Sequence, residues 1–256
     1  ARIVEETGAD ILTHRSFRLF WERGDDLDDT PSDALESPED WSRPTPWGTE
    51  FRPPSEGAMT SMRTEMRTGR HTPRPTRRVD DAEVVRFAGR EWVSMHTPGH
   101  THDHLCLFDP VDGILLSGDH VLPTITPHIG GVGADGRDPL AEFFASLERV
   151  AALDGVRLAL PAHGHPFTDV TGRVESIERH HGERLDRLRT ASIEFGGYGR
   201  VEDYMRHLFS ERVWGSMAES ETYAHLEHLR SIGRATTEWR DGLLHFRVDE
   251  VEAAAP

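Results

Sequence analysis

The chain has 256 residues, 36% of them hydrophobic, and a formal net charge of -16. That is enough for one large or two smaller domains with a buried core. The acidic balance repels phosphate backbones and argues against broad nucleic-acid binding. A single cysteine, Cys106, excludes a disulfide framework within the chain.

No apolar run approaches the ~18 residues of a membrane span, and no signal peptide is visible. A cytoplasmic setting without membrane contact is the expectation. All 29 basic residues are arginine, a compositional bias that carries no functional reading.

In chain order, Ala1 to Glu6 reads as the end of a helix, with Gly8 as its stop. A strand over Asp10 to Thr13 and a helix over Ser16 to Arg23 should follow, which is α/β organisation. Residues 24–78 are too long for an ordinary connection and read as an insertion or lid. This stretch holds an acidic run, then Pro44, Pro46, Pro53 and Pro54. Met59, Met62 and Met66 recur there at helical spacing, as packing on the body or as the apolar wall of a substrate channel.

Strands are then expected over Glu83 to Ala88 and Trp92 to His96, around a turn at Gly89-Arg90. Two more, Leu105 to Phe108 and Ile114 to Ser117, flank a second turn cluster. Asp138-Pro139 opens a helix with Asp as N-cap and Pro in the first position. Gly155 ends it, and Val156 to Leu160 is a buried-type strand. Helices follow over Val174 to Ile193, Val201 to Phe209 and Ser216 to Ser231. Ala235 to Trp239 and Leu243 to Val248 then flank Asp241-Gly242, a strong hairpin signal. Three helices and a hairpin describe a winged-helix module over residues 172–249, leaving 250–256 as a tail.

Three strand ends each deliver a metal-capable residue on a turn. Trp92 to His96 runs into Thr97-Pro98-Gly99-His100, Ile114 to Ser117 into Gly118-Asp119-His120, and Val156 to Leu160 into Pro161-Ala162-His163-Gly164. Each residue alone is a commonplace turn or cap residue; three in order, each beside glycine, are not. Two imidazoles and one carboxylate suit zinc, with manganese and iron open. His104, His120 and His165 lie near these ligands and are candidates for bonding to them. Thr126 and His128, in the loop after Asp119, are candidates for substrate contact against the plain reading of surface loop residues. Cys106 sits in mid-strand, where a buried apolar role is expected.

Thr97-Pro98-Gly99-His100-Thr101, Ser117-Gly118-Asp119 and Pro161-Ala162-His163-Gly164 resemble the later motifs of the metallo-β-lactamase superfamily, in its glyoxalase II-like branch. The resemblance covers residues 1–171, and the region after it resembles the winged-helix tail of β-lactamase-like hydrolases. It implies an α/β fold, the αββα sandwich, with two divalent metal ions. His100 would complete one ion's ligand set, His163 the other's, and Asp119 would bridge both and serve the catalysis. Metal-lowered water pKa would then give a hydroxide that attacks a carbonyl or phosphoryl centre.

The family's His-x-His-x-Asp-His loop, with its four ligands, is absent from these 256 residues. The resemblance implies that this loop and the first half-sheet precede Ala1. It also implies that the chain alone binds metal weakly and has little or no activity. Hydrolysis of a small ester or thioester leads the functional readings. RNA or phosphodiester cleavage would need a basic groove, and a binding or regulatory role would need a basic recognition helix. The region from Gly172 to Val248 has no excess of arginine over acidic residues, and Ser216 to Ser231 carries Glu219, Glu221 and Glu227 against Arg230. Nucleic acid is therefore not the expected partner; a homodimer is the one assembly kept open.

Overall fold

The computed structural model describes residues 2–17, 45–49, 75–131 and 136–249. The helix expected over Ser16 to Arg23, the acidic run, the methionine stripe and the tail fall wholly or largely outside the described residues. A short helix α1 (Arg2–Thr7) leads into β1 (Leu12–His14), which pairs in parallel with β2 (Arg77–Val79). The region expected to be inserted therefore ends earlier than residue 78, because Arg77 and Arg78 already belong to a strand. Its sequence is too polar to read as one, and Val79 alone is buried.

The main sheet has five strands in the order β3 (Val84–Phe87), β4 (Arg90–His96), β5 (Leu105–Asp109), β6 (Ile114–Gly118) and β7 (Leu158–Pro161). The first four run antiparallel, and β7 is parallel to β6. Between β6 and β7 the chain crosses over through α2 (Pro139–Ala151). The Asp138 carboxylate accepts the Ala141 N–H at 2.9 Å, so the expected cap is in place. Strand β7 starts at Leu158 because the Arg157 and Leu158 N–H groups both turn to the Gly113 carbonyl.

Period-two alternation divides the sheet's faces. Cys106, Phe108, Leu115 and Ala159 point to one side, where Leu140, Phe143, Leu147 and Val150 of α2 cover them. Fully burying a side chain such as Leu147 or Phe143 contributes about 1.5–3 kcal/mol. The opposite face is also apolar: Leu105, Leu107, Ile114 and Leu116 pack against Val79, Val85 and Trp92, but stay only half-buried.

The long helix α3 (Val170–Phe195) ends at Gly196 in the left-handed conformation. Its Val170, Val174 and Ile177 belong to the sheet's core. Leu188 and Ala191, further along, belong to a second core with Val201, Tyr204, Tyr223, Leu226 and Phe246. The expected boundary at residue 172 thus falls in the first turn of a helix that both cores share. Helices α4 (Val201–Leu208) and α5 (Ser216–Ser231) follow. A three-stranded sheet then closes the unit, in the order β8 (Gly199–Arg200), β10 (Leu243–Val248), β9 (Ala235–Arg240). The hairpin turns at Asp241-Gly242, both at positive φ (50° and 76°), as a two-residue turn matched to strand twist requires.

Candidate metal centre

The carboxyl-side ends of β4, β6 and β7 carry His100, Asp119 and His163. His163 Nε2 stands 3.3 Å from Asp119 Oδ1. That oxygen is buried and has no hydrogen-bond partner. Two donors bound at ~2.0–2.1 Å to one tetrahedral ion would stand about 3.3–3.4 Å apart. The orphaned oxygen and its spacing therefore fit a shared metal. Among the described residues no group of three His, Cys, Asp or Glu forms a ready-made metal set; the structure brings Asp119 and His163 together as a pair.

His100 is prepared differently. Its Nδ1 lies 2.7 Å from the His128 carbonyl, so Nδ1 is the donor, and in the neutral ring Nε2 then keeps its lone pair. A metal-ligating histidine needs that state, and a backbone carbonyl on the second nitrogen is the usual way to fix it.

Asp119 is placed by its own main chain. Its N–H donates to His104 Nε2 at 3.0 Å. His104 must then carry its proton on Nδ1, which donates to Thr97 Oγ1 at 2.8 Å. The Thr97 hydroxyl faces Cys106 Sγ at 3.3 Å, and the thiol donates to the Ser117 carbonyl at 3.4 Å. Because the thiol hydrogen goes to the Ser117 carbonyl, the Thr97 hydroxyl is left to donate to the sulfur, and His104 Nδ1 also lies 4.0 Å from it. Burial, reinforced by His100, holds the His104 pKa down at about 4 and keeps the ring neutral. Burial also pushes the Cys106 thiol up to about 12, so it is inert as a nucleophile. Gly118 lets this happen. Its φ is +53°, and a Cβ there would lie 2.6 Å from His104 Nε2.

The other sequence candidates separate. His120 is fully buried and packs edge-on against Phe143, with no hydrogen-bond partner for either nitrogen. Burial presses its pKa to about 3. It lies against the helix layer, with the His104 ring 5.8 Å away on its other side, and makes no direct contact with His100, Asp119 or His163 among the hydrogen bonds and ion pairs of the described residues. His165 is exposed on the loop after His163, and Thr126 is half-buried. His128 acts through its main chain on His100, while its imidazole turns to the Met217 carbonyl on α5 at 3.1 Å. Only the position of His104, four residues after His100, hinted at the Thr97–His104 chain; nothing else along the chain marks it.

The metallo-beta-lactamase superfamily model matches residues 16–179. The chain belongs to that superfamily. It is 32% identical over 121 residues to a lactamase-like protein, vrtG, of Penicillium aethiopicum, covering 47% of this chain and 36% of the relative. An atrochrysone carboxyl ACP thioesterase, nsrC, of Aspergillus novofumigatus is 28% identical over 154 residues, covering 56% of this chain and 45% of the relative. The chain spans about a third to a half of the length of these curated relatives. A crystal structure of a metallo-beta-lactamase family protein from Thermus thermophilus superposes with a TM-score of 0.65 at 27% identity, covering 96% of this chain and 73% of that one. That match reaches beyond the sheet into the helical C-terminal unit.

Proposed function

We propose that the protein is a metal-dependent hydrolase acting on a small ester or thioester, with His100, Asp119 and His163 as its metal ligands. The observation that carries this reading is the partnerless, buried Asp119 Oδ1 facing His163 Nε2 at 3.3 Å. A divalent pair there, zinc foremost, would supply Lewis acidity and an activated water. The chain's own part is to hold those donors in their metal-binding states: His100 by the His128 carbonyl, Asp119 by the neutral His104. The thioester side of the reading is supported by relatives named as acyl-carrier thioesterases.

The region over 172–249 is read as a winged-helix unit. Its α5 is unsuited to read nucleic acid, since Thr222, Ala224, His225, Leu226 and Leu229 all face the interior. The half-buried apolar face of Leu105, Leu107, Ile114 and Leu116 is assigned to a second sheet layer, as an αββα sandwich requires.

Three donors shared between two ions leave each ion under-coordinated. The 256-residue chain is therefore expected to bind zinc weakly and to turn over little. Zinc titration by equilibrium dialysis and an assay with a generic acyl thioester test both points. The expected result is weak zinc binding that Asp119→Ala and His163→Ala abolish. Tight stoichiometric zinc with clear turnover would overturn the under-coordination, and zinc binding unaffected by both variants would overturn the site.

A further inference from the structure

Residues 128–131 and Asp138, which fall between Asp119 and α2 in sequence, are each held against α5. Near the site, Ser220 brackets Gly131 in both directions. Its hydroxyl donates to the Gly131 carbonyl at 3.0 Å, and the Gly131 N–H donates to the Ser220 carbonyl at 3.1 Å. Three residues earlier on the helix, the Met217 carbonyl accepts from His128 Nε2 at 3.1 Å. At the far end, Asp138 accepts from His228 Nδ1 at 2.9 Å and from the Ser231 hydroxyl.

This close approach is permitted by the sequence. A Cβ on Gly130 would lie 2.6 Å from the His128 ring and 2.8 Å from Ser220 Oγ. A Cβ on Gly131 would meet the Tyr223 ring at 2.9 Å. The two glycines let the loop lie against the helix.

The consequence runs through His128. Its side chain is tied to α5, and its carbonyl accepts a hydrogen bond from His100 Nδ1 at 2.7 Å. We propose that α5 of the C-terminal unit is part of the metal centre's framework, with His128 and Ser220 as positioning residues that fix the tautomer and aim of His100. The proposal rests on the reading of His100 as a ligand, but its structural half does not need a metal. If the bracket is loosened, the His128 carbonyl moves and the His100 ring is free to exchange tautomers. A ring protonated on Nε2 cannot donate that lone pair to a cation.

The test is nitrogen-proton NMR of the His100 ring in the metal-free full chain, with zinc affinity measured beside it. Wild type is expected as one tautomer, Nδ1–H with bare Nε2. The double variant His128→Ala, Ser220→Ala is expected to show mixed tautomers and to lose about 10–100-fold in zinc affinity, the usual cost of removing an outer partner of a ligand. His128→Gln, whose amide can still donate to Met217, should recover most of both. Ser231→Ala removes an α5 contact at the opposite end and should leave both unchanged, although it loosens the same helix. A double variant that keeps one Nδ1–H tautomer, or a Ser231→Ala that shifts His100 as much, overturns the proposal. If Asp119→Ala retains zinc, the metal reading fails, and the tautomer result still decides the positioning role. A circular-dichroism melt of each variant identifies any that does not fold, and the single variants His128→Ala and Ser220→Ala then replace the double one.

Discussion

At the strand ends, His100 gives one ring nitrogen to a backbone carbonyl and keeps the other bare. Between the helices, His225 uses both: Nδ1 donates to the Glu221 carbonyl at 2.7 Å, and Nε2 accepts from His181 Nδ1 at 2.9 Å. His225 and His181 are fully buried, and Phe144 meets the His181 ring edge-on. Burial holds the pKa of His225 at about 3 and that of His181 at about 2. One residue type thus serves two ends. Where one nitrogen is left open at a strand end the ring keeps a lone pair to offer; where both are paired inside a core it is a neutral packing element with a fixed direction.

The largest expected effect lies at the site. Asp119→Ala or His163→Ala should weaken zinc binding by more than about 100-fold, beyond what outer partners of a ligand cost. The same changes should barely move the melting temperature, because the His163 side chain is largely exposed. Isothermal titration and a thermal melt on the same samples would separate the two.

The helix-side pair should behave in the opposite way. His225→Leu alone leaves the His181 N–H buried without an acceptor and is expected to cost about 1–3 kcal/mol of stability. Zinc affinity should not change. The double variant His181→Leu, His225→Leu removes both polar partners and should lie close to wild type at neutral pH. Urea unfolding of the three proteins checks this. A double variant as damaged as the single one would mean that the pair's polarity, and not its volume, holds the helices.

The same rings set an acid limit. A histidine whose folded pKa is depressed is protonated first in the unfolded chain, so the folded state loses stability as pH falls below the ordinary value near 6.5. For His104 that loss continues to about pH 4, and for His120 and His225 to about 3. Asp138 acts in a lower window. Burial alone would raise its pKa, but hydrogen bonds from His228, Ser231 and the Ala141 N–H hold it at about 2. Its contribution is present above the ordinary carboxylate value and disappears as pH falls toward 2. Melts of the metal-free protein from about pH 7 to about pH 4 should decline steadily, and less steeply for the double leucine variant.

The smallest effect is expected at His120. Replacing this buried ring with Phe should leave zinc affinity unchanged and stability at neutral pH close to wild type. A tenfold loss of zinc affinity in His120→Phe would instead make it part of the site.

How much of this could be read from the chain follows from what each feature depends on. The three strand-end motifs, the Asp138-Pro139 helix start and the Asp241-Gly242 turn are local, and local chemistry decides them. β2 was not legible, because only its parallel partner β1 makes Arg77 and Arg78 extended. Nor were the histidine pairings: His181 and His225 are 44 residues apart and meet only once α3 and α5 pack. The burial of His120 was hidden for the same reason, since its place next to Asp119 in sequence does not show that its ring turns into the core beside Phe143 and His104. The double glycine at 130 and 131 was visible as a pair of small residues, but its purpose needs α5 beside it.

On the reading proposed above, Asp119 and His163 share one cation. Crystals of the chain soaked in zinc, with anomalous diffraction recorded at the zinc edge, test it directly. A peak is expected ~2.0–2.2 Å from both Asp119 Oδ1 and His163 Nε2. Zinc bound elsewhere while these two atoms remain 3.3 Å apart and empty between them would contradict it.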